Sequence, residues 1–173
     1  MPTTTWPELM DAAQQVLQER PAIKMPNPDG FVYYYYEPSF GEHFSLFLIW
    51  KDEVCHWERT IWESSKDFAK FGVLEHLRYL GQTIHPTFER SSGSFAKTAI
   101  LPLLSLLKAQ SLPLLPGPSD SFMIDGYKHT LNVGQSDFEV VYQWRTRPAE
   151  WAVLDEIGDV IFRLNERLNE LNS

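Results

Sequence analysis

The stretch DGYKHTLNVGQSDFEVVYQW, residues 125–144, decides the fold of this chain. Its first part, Tyr127 to Leu131, alternates apolar and polar residues, and so does its second part, from Phe138 to Trp144. Alternation of this kind is typical of a half-buried β-strand. The residues between the two parts, Asn132 to Asp137, are rich in turn formers. The stretch therefore predicts two strands joined by a turn.

A helix is predicted directly after these two strands. Pro148 suits the first turn of a helix, and apolar residues then recur every three or four positions. These apolar positions are Trp151, Leu154, Ile157, Ile161, Leu164, Leu168 and Leu171. The spacing fits packing on a sheet, and it also fits a partner helix, including a second copy of the same helix. Two strands followed by a helix predict the closing unit of an α+β domain.

This closing unit resembles one found in small uncharacterised bacterial proteins. That unit has a D-G-x-x-x-x-L strand, a strand that ends in aromatic-x-W, and a W-x-x-L helix. The matching residues here are Asp125, Gly126, Leu131, Tyr142, Trp144, Trp151 and Leu154. The resemblance covers less than a third of the chain and implies an α+β fold in a bacterial, cytosolic protein. It carries over no function and no active-site residue.

A hairpin is also predicted in the N-terminal half, from residues 44–50 and 54–62. If Asp52-Glu53 is its loop, Trp50 faces Cys55 and one face of the hairpin is almost wholly apolar. A shift of one residue would mix apolar and polar side chains on both faces, so this register is preferred. Because Asp-Glu lacks the glycine that tight hairpin loops favour, a longer loop is the alternative.

The rest of the chain completes a single α+β domain over residues 1–173. A short strand is predicted from Thr83 to Arg90, and a flexible stretch from Ser91 to Ser94. We expect an antiparallel sheet of about five to seven strands, packed by about four helices. The helices are predicted near residues 6–20, 67–80, 100–110 and 149–170.

Composition and charge exclude several kinds of protein. The chain is 43% hydrophobic and 22% charged, as in a globular protein rather than a disordered one. A net charge of -8 disfavours binding to nucleic acid and to anionic membrane surfaces. The single cysteine, Cys55, rules out an internal disulfide and cysteine-rich zinc sites. With no signal-peptide pattern and no apolar run long enough for a membrane helix, we expect a cytoplasmic protein.

His56 and Glu58 are the candidate ligand-binding residues. Residues two apart on a strand point to the same side, where this pair could share a metal or act as an acid and a base. A catalytic zinc needs three protein ligands and the sequence offers two, so we expect no metal site and no cofactor. The opposing interpretation is a polar strand face in contact with water. Cys55 points to the other face, which disfavours a thiol–imidazole pair with His56.

The aromatic run Tyr33 to Tyr36 is a candidate binding surface. It lies in a predicted strand, and Trp50, Trp57 and Trp62 lie in the neighbouring hairpin. Sheet faces that are rich in Tyr and Trp make good binding surfaces. The alternative is that helices cover both faces of the sheet, in which case these rings form the core.

No motif in the sequence assigns a reaction. Phosphate-binding loops, nucleophile elbows and zinc-binding helices are all missing from the printed sequence. We therefore expect a non-enzymatic binding or protein-interaction protein, whose partner is another protein or a second copy of itself. A toxin-neutralising immunity protein is one concrete version, suggested by small size and acidity. The alternative function is a small metal-dependent hydrolase or a small-molecule binder that uses His56 and Glu58.

Overall fold

The computed structural model describes six strands and four α-helices in residues 5–21, 23, 25–39, 41–74, 85–109, 127–135, 138–144 and 153–171. The helices are α1 (Trp6–Gln18), α2 (Ser64–Leu74), α3 (Leu101–Ala109) and α4 (Val153–Leu171). The strands are β1 (Gly30–Pro38), β2 (His43–Lys51), β3 (Val54–Trp62), β4 (Phe88–Ala96), β5 (Tyr127–Gln135) and β6 (Phe138–Trp144). A short 3-10 helix, Lys97–Ile100, leads into α3.

All six described strands join one antiparallel sheet in the order β4-β3-β2-β1-β5-β6. Strands β1 to β4 pair with their neighbours along the chain, and β5 then returns to the free side of β1. In that pairing Tyr34 lies opposite Leu131. The prediction of an α+β fold with an antiparallel sheet is confirmed, and among the described strands β4 and β6 form the two edges of the sheet.

The predicted register of the β2–β3 hairpin is confirmed. Trp50 lies opposite Cys55, and the loop is the shorter of the two alternatives. It forms without glycine because Asp52 itself takes a positive φ of 52°, a conformation that Asp tolerates better than most residues. The backbone N–H of Asp52 donates to the carboxylate of Asp29 at 2.9 Å, which holds the turn.

Two segments that were predicted as turn or flexible chain are parts of strands. Residues 91–94 lie inside β4, and residues 132–135 complete β5. Both segments contain a glycine, and the structure shows why. A Cβ at Gly93 would lie 3.0 Å from Trp57 Nε1, and a Cβ at Gly134 would lie 2.5 Å from Phe31 Cζ. These glycines make room for aromatic rings on the neighbouring strand, a recognised role of glycine within sheets.

The helix starts follow the sequence closely. Thr5 caps α1 in a capping box: Glu8 N donates to Thr5 Oγ1 at 3.4 Å, and Thr5 N donates to Glu8 Oε2 at 2.6 Å. Helix α2 begins at Ser64, three residues before its predicted start. The predicted start of α4 near residue 149 lies outside the described residues. Within the described ranges, no helix is long and apolar enough to cross a lipid bilayer.

Helices cover both faces of the sheet. On the α4 face, α3 and α4 pack on inward-pointing residues that include Val32, Tyr34, Leu46, Leu48, Trp57 and Leu131. On the opposite α1 face, α1 packs on residues that include Phe31, Tyr33, Tyr35, Phe47, Ile49 and Trp62. The tyrosines of β1 therefore alternate between two cores, and the aromatic run is interior rather than a binding surface.

The apolar stripe of α4 is also used inside the fold. Leu154, Ile157 and Ile161 have no exposed surface, and Leu168 is 1% exposed. They join the cluster of apolar residues on the α4 face of the sheet. Of the two interpretations of this stripe, packing on the sheet is the one that the structure shows. The buried residues of this stripe are therefore not available as a surface for a partner helix.

Candidate functional site

His56 and Glu58 lie on the same face of β3, as predicted. Both side chains are half-buried on the α1 face. Their cross-strand neighbours on β4 are Ser94 and Ser92, and their neighbours on β2 are apolar. Among the described residues, no group of three His, Cys, Asp or Glu side chains is placed to hold a metal ion. The cross-strand neighbours of this pair are thus serine residues on one side and apolar residues on the other.

The Cys55 thiol is placed as a core side chain. It is fully buried on the α4 face, and burial raises its pKa to about 12. A thiol with such a pKa stays protonated at neutral pH and is a poor nucleophile. The prediction that Cys55 and His56 point to opposite faces is confirmed by the alternation of β3.

His129 is held in an aromatic environment on the α4 face. Its Nδ1 lies 2.6 Å from the hydroxyl of Tyr34, and its ring stacks on Trp144 with centroids 4.9 Å apart. Burial lowers its pKa to about 4, against the opposing effect of Asp155. The imidazole is therefore neutral at pH 7 and hydrogen-bonded to Tyr34, as expected for a structural histidine. His85 is exposed, and His76 lies outside the described residues.

A buried polar cluster surrounds Arg59, and sequence reasoning missed it. The guanidinium is 1% exposed on the α4 face and pairs with Glu89 at 2.8 Å. It also donates to the Asn165 backbone oxygen at 3.4 Å and to the Asn169 side chain. Arg59 Nε, Ser91 Oγ and Asn165 Oδ1 are three of the five unpaired buried polar atoms in the described ranges. The sequence feature that could have revealed this cluster is Arg59 itself, a charged residue on the otherwise apolar face of the predicted hairpin.

The two edge strands of the sheet differ in surface chemistry. Strand β6 exposes Phe138 (68%) and Val141 (52%), which point to opposite sides of the sheet. Strand β4 instead presents charged and hydroxyl side chains, among them Glu89, Arg90 and Ser92. Charged residues on an edge discourage pairing with another chain, whereas an apolar edge invites it. Strand β6 is therefore the candidate interaction edge of the molecule.

An apolar cleft adjoins β6 on the α4 face. It has a volume of about 390 Å³ and lies between α3 and the β5–β6 hairpin. Its walls include Trp50, Leu104, Leu107, Val133, Phe138 and Tyr142. Its lining also includes the polar side chains of Lys108 and Gln135. An apolar cleft beside an open strand edge is the geometry in which an added strand gains both backbone hydrogen bonds and side-chain contacts.

Comparison with known proteins assigns no family to the chain. No family model, no curated protein and no solved structure matches it. The resemblance of the closing unit to small bacterial proteins therefore stays a prediction.

Proposed function

We propose that the protein is a non-enzymatic, cytoplasmic interaction protein that pairs with a second copy of itself along β6. The observation that carries this proposal is the apolar edge, where Phe138 and Val141 are both more than half exposed. An edge strand offers a row of backbone N–H and C=O groups that a further strand can pair. Pairing of two β6 strands would also bury the two exposed apolar side chains.

The sequence of β6 is complementary to itself. When two copies are paired antiparallel about Val141, Phe138 lies opposite Trp144 of the second copy, and Glu139 lies opposite Gln143. Aromatic pairs across strands are favourable, and no like charges oppose each other in this register. A twofold axis through Val141 makes both contacts occur twice, as in most homodimers.

The chemistry of the buried groups supports a non-enzymatic role. The Cys55 thiol is protonated, and the His129 imidazole is bonded to Tyr34, so neither is poised as a nucleophile or a base. The hydrolase alternative would need a third metal ligand beside His56 and Glu58, which the described part of the chain does not supply.

Sedimentation equilibrium tests the proposal, over protein concentrations of about 1 to 100 µM. We expect the wild-type chain to be dimeric at the upper end of this range. Val141→Lys should be monomeric, because it places two like charges opposite each other at the twofold axis. Ser92→Lys is the matched control, since Ser92 lies at the middle of the other edge strand on the same side of the sheet.

Two results would contradict the proposal. The first is a wild-type chain that stays monomeric over the whole concentration range. The second is a dimer that survives Val141→Lys or that is lost equally in Ser92→Lys, because the interface would then lie away from β6. Circular dichroism of both variants establishes that each is folded.

A further inference from the structure

A second cleft opens on the α1 face, between the first turns of α1 and α2 and the segment that joins β1 to β2. Its volume is about 460 Å³. Three aromatic side chains, Trp6, Trp62 and Phe68, form its walls, and His43 and Glu42 also line it. The residues come from three separate parts of the chain, which the fold brings together. This cleft lies apart from β6 and takes no part in the proposed pairing of two chains.

The aromatic rings of the cleft are arranged around one another. Trp6 stacks on Trp62 with ring centroids 5.8 Å apart and an interplanar angle of 29°. Phe68 meets Trp6 edge-on, with centroids 5.3 Å apart, and is itself 64% exposed. The faces of aromatic rings are electron-rich and attract cations within about 6 Å, most strongly for Trp. The exposed Phe68 ring leaves such a surface open to solvent.

A buried carboxylate holds the Trp62 side chain, which is 1% exposed and supports the stacked Trp6 ring. Trp62 Nε1 donates to Asp67 Oδ2 at 2.8 Å, and Asp67 has no exposed surface. Burial alone would raise the pKa of Asp67, but hydrogen bonds from Thr87, Trp62 and Lys70 outweigh it and lower the pKa below its ordinary value. The carboxylate is therefore ionised. This hydrogen bond fixes the orientation of Trp62, and the aromatic surface that the cleft leaves open to a ligand belongs to Phe68 and the half-buried Trp6.

The polar side chains of the cleft are three serine hydroxyls, an imidazole and one carboxylate. The imidazole of His43 is 4% exposed and lies edge-on to Trp62, with centroids 4.9 Å apart. Its buried Nδ1 has no partner within the described ranges. Burial lowers the pKa of His43, so the ring is neutral at pH 7. Glu42 is exposed and adds a carboxylate, and no Lys or Arg is among the described residues of the lining.

We propose that the cleft formed by Trp6, Trp62, Phe68, His43 and Glu42 binds a small organic cation, such as an alkylated ammonium group. The accessible rings of Phe68 and Trp6 attract the charge, and the Glu42 carboxylate of the lining supplies the opposite charge. An anionic ligand is disfavoured because the Glu42 carboxylate is the one charged side chain among the described lining residues. A neutral ligand would use the apolar walls but neither the carboxylate nor the ring electrostatics.

Calorimetric titration of the full chain tests this proposal, with tetramethylammonium chloride as the probe. The comparison ligand is tert-butanol, a neutral molecule of similar size, at the same ionic strength. We expect the cation to bind about tenfold more tightly than the alcohol, because only the cation gains the ring and carboxylate attraction. Equal binding of the two would overturn the proposal, since the cleft would then be selective for apolar surface alone.

Substitutions in the lining test whether tetramethylammonium binds in this cleft. Phe68→Ser should weaken tetramethylammonium binding about fivefold and Glu42→Gln about threefold, because each removes one source of attraction. Both residues are exposed, so both variants are expected to fold. Tyr127→Ser is the matched control, since Tyr127 is an aromatic ring 55% exposed on a different part of the surface. A loss of binding in Tyr127→Ser that equals the loss in Phe68→Ser would overturn the assignment to this cleft.

Discussion

The two faces of the sheet bury their charged groups in different ways. The α4 face is covered by the 19-residue α4 together with α3, and it encloses Arg59 with its Nε unpaired. The α1 face is covered by the 13-residue α1, and it encloses Asp67, which accepts hydrogen bonds from Trp62, Thr87 and Lys70. The larger apolar core tolerates an incompletely bonded charge, whereas the charge beside the smaller core is fully bonded. Stability on the two faces should therefore depend on different kinds of residue.

Large-to-small substitutions should show the largest difference in stability loss between the two cores. Ile161 and Leu17 are both fully buried, the first in the middle of α4 and the second in the last turn of α1. We expect Ile161→Ala to lower the free energy of unfolding by about 4 kcal/mol and Leu17→Ala by about 2.5 kcal/mol, because a helix end relaxes into a cavity more easily. Urea denaturation measures both. Equal losses would show that the two cores are equally rigid.

When the buried charged residues are replaced by apolar ones, the larger loss of stability should instead occur on the α1 face. We expect Asp67→Leu to cost about 3 kcal/mol, because it leaves the Trp62 and Thr87 donors unpaired. Arg59→Met should cost only about 1 kcal/mol, since the guanidinium is incompletely bonded and Met fills similar space. The same denaturation experiment gives both values. A larger loss for Arg59→Met would mean that the Arg59 cluster, rather than the apolar core around it, holds α4 on the sheet.

Acid should lower the free energy of unfolding through a histidine on each face of the sheet, and His129 on the α4 face gives the clearer case. The folded pKa of His129 is about 4, below its unfolded value of about 6.5, so the unfolded chain binds more protons between these values. Stability from this group is complete above pH 6.5 and is lost as the pH falls towards 4. We expect the free energy of unfolding to fall by about 2 kcal/mol through this group. This is less than the full pKa shift implies, because the ring is partly exposed.

Urea unfolding at pH 7 and pH 4.5 measures this loss in the wild type and in His129→Phe, which keeps a ring against Trp144. The variant should lose about 2 kcal/mol less than the wild type between the two pH values. The remaining loss includes the contribution of His43, whose pKa is also lowered by burial. Identical losses in the wild type and in His129→Phe would contradict the assignment.

The smallest expected effect concerns the cap of α1. Thr5→Ala removes one half of the capping box with Glu8 and should cost about 1 kcal/mol. Since α1 is the helix that covers the α1 face, hydrogen exchange should quicken in α1 and not in α4. Faster exchange in both helices would mean that the two faces open together as one cooperative unit.

Local patterns in the sequence predicted the local parts of the fold. The alternation around Trp50 and Cys55 fixed the hairpin register, and Thr5 with Glu8 marked the start of α1. The strand character of residues 91–94 and 132–135 was missed because their glycines are explained by rings on other strands. The sequence likewise could not show which face of β1 each helix covers, since Tyr33 to Tyr36 are aromatic on both sides.

The candidate sites were less predictable than the fold because they depend on contacts between distant segments. His56 and Glu58 do share a face, but their serine neighbours come from a strand that was placed only in part. That β6 is an edge follows from the pairing of β5 with β1, which no local pattern reveals. The second cleft combines Trp6, His43 and Phe68 from three elements, and its chemistry emerges only in the folded chain.

The position of β1 has a consequence for the newly made protein. It lies in the middle of the sheet, yet its neighbour β5 is synthesised nearly one hundred residues later, as the pairing of Tyr34 with Leu131 shows. At ribosomal rates this delay is roughly 5 to 20 s. During that time strands β1 to β4 can pair while one side of the aromatic strand stays open. A nascent chain of this protein therefore exposes an unpaired edge of an aromatic strand before its partner strand is made, and such an edge is a template for aggregation.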